Sequence, residues 1–198
     1  MTSIDQYYNE DKTELILPYN FNEEIKMGQL YNSLTHLIFG EYYNQEIKKN
    51  VLPNSLTHLT FSGYYNQEIK ENILPQSLTH LTFGYRYNQK IKENVLPKSL
   101  THLIFGKYYE QEIKENVLPN SLTTLQFYGS IYNELTITNL PNYNIKTIIF
   151  TSLQISINNL PLSVETIKLI NYNNNTLKLL EKLPYGCIVV DEDDKKLI

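Results

Sequence analysis

Leu-Pro pairs ending at Pro53, Pro75, Pro97 and Pro119 recur every 22 residues, and Pro141 stands a further 22 on. Four segments that follow these prolines read almost alike. They are Asn54–Phe61, Gln76–Phe83, Lys98–Phe105 and Asn120–Phe127, each of the form x-Ser-Leu-Thr-(His/Thr)-Leu-x-Phe. Upstream, Asn32–Phe39 is a full copy with Tyr31 in the proline place, and Thr13–Leu17 fits the end of the same segment. Downstream the period loosens: Pro161 follows Pro141 by 20 residues, and Pro184 follows Pro161 by 23. Ile148–Phe150, Ile167–Leu169 and Ile188–Val190 supply the matching apolar alternations there. A fixed period of this length is the signature of a solenoid, in which each unit stacks on the next. Nine coils are counted, with strands centred near Leu37, Leu59, Leu81, Leu103 and Leu125 in the five most alike.

Within a coil, Leu59 and Phe61 alternate with a period of two, which marks a strand with one face inward. One short parallel strand per coil builds one long sheet. At ~4.8 Å per strand, nine coils make a slab roughly 40 Å long. The rest of each coil, such as Tyr64–Leu74, returns the chain to its start, with Ile69, Ile73 and Leu74 pointing inward. The sequence contains no alanine and no tryptophan. Without the best helix former, and with Ile, Tyr, Thr and Asn abundant, extended or irregular backbone is expected in the return segment. The expected organisation is one repeat domain over 1–198: an N-terminal cap over 1–12, regular coils over 13–141, and irregular coils with a C-terminal cap over 142–198.

The segment Tyr65-Asn-Gln-Glu-Ile-Lys-Glu-Asn-Ile-Leu-Pro-Gln-Ser-Leu-Thr-His-Leu-Thr-Phe83 resembles the FNIP repeat, a relative of the leucine-rich repeat. That family is known mainly from amoebae and the large DNA viruses that infect them. The resemblance covers residues 13 to 190 and is strongest over 21 to 141. It implies a mainly β, leucine-rich-repeat-like solenoid that binds proteins. Two departures stand out. The family's Phe-Asn is Tyr-Asn at Tyr43, Tyr65 and Tyr87, surviving only as Phe21-Asn22, and its following Pro is Glu46, Glu68, Lys90 and Glu112. Similar proteins often carry an F-box before the repeats, which recruits a ubiquitin-ligase scaffold. About 11 residues precede the first coil here, too few for that domain, so only the repeat array is carried over.

Stacking turns each coil position into a column. The column before the inner Leu holds Glu14, His36, His58, His80, His102, Thr124, Thr147 and Thr166, including all four histidines of the chain. The next outward column holds Ile16, Ile38, Thr60, Thr82, Ile104, Gln126, Ile149 and Lys168. Both should lie exposed on one face of the sheet. Leucine-rich-repeat proteins commonly bind partners on this face, so His36, His58, His80, His102, Ile38, Thr60, Thr82, Ile104 and Gln126 are the candidate partner-binding residues. The histidines are read as copies of one residue rather than as a metal site, because no cysteine accompanies them and Glu14 is the one carboxylate in the column. The second column changes identity from coil to coil. Either selection for a partner or drift at solvated positions explains that.

Tyrosines form two more columns. Tyr43, Tyr65, Tyr87 and Tyr109 are expected inside. Tyr42, Tyr64 and Tyr108, with Arg86 at the fourth place, are expected along the sheet edge or at an interface. Lys26, Lys48, Lys70, Lys92 and Lys114 stack two residues from Glu24, Glu46, Glu68 and Glu112, an ion-paired back surface. Asn50, Asn72, Asn94 and Asn116 are expected to tie turn backbone from coil to coil through their amides.

Function classes narrow accordingly. There is no Gly-rich phosphate loop, no His-Glu-x-x-His motif, and no cysteine with an obvious partner, so no catalytic residues and no cofactor are assigned. The net charge is -4, and Arg86 is the single arginine, which gives no reason to expect nucleic acid. No run approaches the ~18 apolar residues of a membrane span. The polar N-terminus does not read as a secretory signal. One cysteine, Cys187, rules out an internal disulfide and fits a reducing compartment. The expected setting is intracellular, in the cytoplasm, or the host cytoplasm for a viral chain. The function expected is a non-catalytic protein-binding scaffold. Self-association is the alternative, and metal binding by the histidine column a further one.

Overall fold

The computed structural model describes residues 4–131, 140 and 143–198. Nine strands occur among them: β1 (Glu14–Ile16), β2 (His36–Ile38), β3 (His58–Thr60), β4 (His80–Thr82), β5 (His102–Phe105), β6 (Thr124–Ile131), β7 (Thr147–Leu153), β8 (Thr166–Leu169) and β9 (Ile188–Val190). They form one all-parallel sheet in chain order. The register is that of the repeat: Leu15, Leu37, Leu59, Leu81, Leu103, Leu125, Ile148, Ile167 and Val189 lie side by side. The chain is thus a mainly β solenoid. The boundary expected at Pro141 falls outside the described residues.

The alternation follows from burial. A coil has too little apolar surface to close on itself, so its inward side chains pack on the coils above and below. Leu59, Phe61, Leu81, Phe83, Leu103 and Phe105 are all buried. Behind the leucines runs a column of phenylalanines, Phe39 to Phe150, with ring centroids 5.2 to 6.1 Å apart. Tyr43, Tyr65 and Tyr87 lie inside at 1% exposure, each stacked on the Phe of its own coil at 3.9 to 4.0 Å. Burial pushes their phenol pKa values well above the usual range. Ile69 and Leu74 are buried as expected, and Ile73 is partly so.

Three turns recur in the coils between β2 and β6. Leu56 N–H donates to the Pro53 carbonyl at 3.1 Å, and Leu78 and Leu100 repeat this to Pro75 and Pro97. Tyr87 N–H donates to the Gly84 carbonyl at 3.2 Å. Val51 N–H donates to the Lys48 carbonyl at 3.3 Å, across a turn whose third residue, Asn50, has φ 63°. Asn72, Asn94 and Asn116 have φ 61–63°, and Gly28 heads the column at φ 83°. Asn is the non-glycine residue that best tolerates the left-handed region. Its role here is therefore conformational, which corrects the expectation that its amide ties coils together. A neighbouring column does that. Asn22 Oδ1 accepts the Asn44 N–H at 2.9 Å, Asn44 does the same for Asn66, and Asn66 for Asn88. Gln45 and Gln67 side chains add amide bonds to the same asparagines.

The return segments are irregular, and no helix lies between β1 and β6 among the described residues. A 3-10 turn (Ile4–Tyr7) precedes the array. One short helix, α1 (Asn174–Lys178), is capped by Asn173 in the last irregular coils. On the back, Lys70 meets Glu46 and Lys92 meets Glu68 at 2.6 Å, with Lys48 paired to Glu24 in the same way. Each lysine reaches one coil back, as the like-charge columns required.

Both outer strands are covered. Tyr8 bridges Leu15 in the antiparallel sense, with Asn9 N–H donating to the Glu14 carbonyl at 3.0 Å. At the other end Val190 bridges Lys196, and Leu197 N–H donates to the Val189 carbonyl at 2.7 Å. The last coil departs from expectation by one residue: Val189 points inward and Ile188 is exposed.

Candidate functional site

The face of the sheet is built from the two outward columns. β1 contributes Glu14 and Ile16, β2 His36 and Ile38, β3 His58 and Thr60, β4 His80 and Thr82, β5 His102 and Ile104, and β6 Thr124 and Gln126. All nine candidate partner-binding residues therefore share one surface. His36 is exposed, while His58, His80 and His102 are half-buried rather than exposed as expected. The reason is ring stacking. Adjacent imidazoles lie with centroids 4.1, 4.1 and 4.2 Å apart and planes within 15° of parallel, so each covers its neighbours' faces.

A threonine column fixes the rings in place. Thr35, Thr57, Thr79 and Thr101 hold Oγ1 within 2.8–2.9 Å of Nδ1 of the following histidine. The same hydroxyls bond the carbonyl one coil back at 3.0 to 3.2 Å. Sequence reasoning counted the histidines and passed over these threonines. The signal was present, since Thr-His is copied as a pair in every coil that carries the ring. Near-parallel rings aim their lone pairs in one direction, whereas zinc needs ligands converging at ~2.0–2.1 Å. No group of three or more His, Cys, Asp or Glu is placed to hold a metal ion among the described residues.

Burial under the stack, and secondly the charges of neighbouring rings, lower the pKa values of His58 and His80 below the ordinary imidazole value of about 6.5. The folded state thus binds fewer protons than the unfolded one just below pH ~6.5. The stability these neutral rings contribute is complete above that pH and is lost as pH falls through their lowered folded values. The urea midpoint is expected to be lower at about pH 5.5 than at about pH 7.5. A His58→Ser/His80→Ser variant should show a flatter profile over that window. A midpoint that rises on acidification would contradict this. Glu24 and Glu68, held below the ordinary carboxylate value by bonds to Lys48 and Lys92, keep their contribution across this window and lose it only at lower pH.

Tyrosines line one edge of the array. Tyr42, Tyr64 and Tyr108 are exposed there, and the Arg86 guanidinium sits 4.3 Å over the Tyr64 ring. Tyr19 packs edge-on against Tyr42 at 5.1 Å. This is the outer of the two tyrosine columns that the sequence separates.

The family model of the FNIP Repeat matches five overlapping windows, residues 21–64, 43–86, 65–108, 87–130 and 109–152. The chain belongs to the FNIP repeat family. Among solved structures, this FNIP repeat chain is similar to CroV588, described as a novel circular LRR protein, at 42% identity and a TM-score of 0.71. The match covers 90% of this chain and 27% of CroV588, so the chain spans about a quarter of that protein's length. No curated protein matches the chain. No helix among the described residues is long and apolar enough to cross a membrane.

Proposed function

We propose that this FNIP repeat chain is a non-catalytic scaffold that binds a protein partner, inside the cell, through the sheet face. One observation carries the reading. Four histidines are locked in register by stacking and by threonine bonds, beside a column that reads Ile38, Thr60, Thr82 and Ile104 across the same coils and Gln126 in the next. A rigid column next to a variable one suits a surface that fixes geometry with one and selectivity with the other. One coil offers too little area for a standard interface of about 800 Å² per partner, so binding spreads over several coils.

The test is quantitative capture of the partner from the native cell by two variants. His58→Ser/His80→Ser alters the face, and Lys70→Ser/Lys92→Ser alters the back. Loss with the first and retention with the second is expected. The opposite pattern assigns the partner to the back. The rival, self-association, finds both outer strands already bridged by the chain's own segments. Light scattering at micromolar concentration should return 23.3 kDa.

A further inference from the structure

We propose that the histidine column is a row of hydrogen-bond acceptors that receives a cationic, donor-bearing segment of the partner. The proposal rests on the reading of the sheet face given above and names the chemistry that face selects.

The argument begins with the threonine hydroxyl, which has one proton. Thr57 Oγ1 lies 3.1 Å from the Thr35 carbonyl oxygen and 2.9 Å from Nδ1 of His58. A carbonyl oxygen only accepts. If the proton went to Nδ1, two lone-pair-bearing oxygens would face each other at that distance. The proton therefore goes to the carbonyl, and the hydroxyl accepts from the ring. Nδ1 then carries the hydrogen, and in a neutral imidazole Nε2 is left bare. The same geometry holds at Thr35–His36, Thr79–His80 and Thr101–His102, so all four rings share one tautomer. Parallel stacking then holds four bare Nε2 atoms in one direction.

The charge of the surroundings agrees. From β1 to β6 the two outward columns hold one carboxylate, Glu14, and no cation; the first is Lys168 on β8. Glu14 on β1 and the rings themselves are the titratable groups of these columns, while β6 ends the ladder with the uncharged Thr124 and Gln126. The chain as a whole is acidic, at -4. An acidic or phosphorylated segment meets lone pairs and a carboxylate, and finds only the uncharged donors of Thr60, Thr82, Thr124 and Gln126. A lysine has three donors and no acceptor, and its aliphatic stem can lie against a neighbouring pair of the column Ile38, Thr60, Thr82 and Ile104. Protonating a ring turns its Nε2 into a donor and adds a like charge, so acid removes such a ligand.

Two measurements on the full chain test this. Long-range 15N–1H spectra of the imidazoles at about pH 7.5 should show Nδ1–H on all four rings. Thr57→Val/Thr79→Val should release that preference at His58 and His80. Two synthetic decapeptides, alternating Lys-Ser and alternating Glu-Ser, are then titrated against the same signals. The lysine peptide should shift the Nε2 resonances of His58 and His80. Its affinity should fall about tenfold in His58→Ser/His80→Ser, the size of one lost charge-assisted bond, and should also fall at about pH 5.5. Nε2–H rings overturn the proposal. A response to the glutamate peptide instead overturns the partner chemistry while leaving the face as the binding surface. Silence toward both peptides overturns the proposal too, whereas the face reading is judged separately by capture of the native partner.

Discussion

Gly106→Ala is expected to destabilise the array by about 3 kcal/mol or more, the upper end of overpacking effects. A Cβ at Gly106 would stand 1.9 Å from the Gly84 carbonyl oxygen, 2.6 Å from its carbon and 3.1 Å from the Tyr85 Cα. All three are backbone atoms of the preceding coil, and the corner cannot open without loosening its neighbours. Tyr108 N–H donates to the Tyr85 carbonyl at 3.1 Å, and Phe105 stacks on Phe83 at 5.7 Å beside it. Gly63→Ala is the control. There the nearest atoms belong to the end of the Glu41 side chain, which can swing away. Its carboxylate accepts the Gly63 N–H at 3.2 Å, so a modest cost of about 1 kcal/mol is expected. Urea midpoints for the two variants decide the matter. Equal losses would mean that coil-to-coil approach at this corner is not what demands glycine.

Leu81→Ala is expected to cost about 2–5 kcal/mol. Leu81 is fully buried, with Leu59 and Leu103 in register on either side, so the cavity has no loop into which to collapse. The neighbouring His80→Ala should cost less, about 1 kcal/mol, though more than an ordinary surface change. His80 stacks on His58 and His102 and bonds Thr79, which sequence reasoning about a solvated position could not include. Matched urea titrations separate the two. A loss at His80 as large as that at Leu81 would place the ladder among the main stabilising elements of the fold.

What the sequence made legible was register. A period of 22 residues says which residue lies above which, and the Leu59/Phe61 alternation says which side faces in. The buried Tyr43 column and the Lys–Glu back followed from the same stacking. Three things were not legible, for physical reasons. Spacing does not report backbone dihedrals, so it did not show that the Asn50 column sets a left-handed turn while the Asn44 column bonds the next coil. In the last coil, Ile188, Val189 and Val190 are all apolar, and with the period stretched to 23 nothing in the pattern chose between facings one residue apart. At the candidate site, the columns of His36, Ile38 and their successors could be counted, but ring stacking and the threonine bonds arise only once the strands lie side by side. Thr35, Thr57, Thr79 and Thr101 are copied beside the histidines in the sequence, but what their hydroxyls bond is set only once the carbonyl partners are in place.

The constant 22-residue register also governs how such a gene can change. Near-identical neighbouring copies invite unequal recombination, which adds or removes whole units. Gaining one unit between β2 and β5 leaves every surviving column aligned and lengthens the histidine row by one strand spacing, ~4.8 Å. Adding a single residue within a strand instead turns that strand's inward side chains outward. Inheritance by duplication is thus graded along the solenoid axis and unforgiving across it, so a lineage can resize its contact surface without redesigning it.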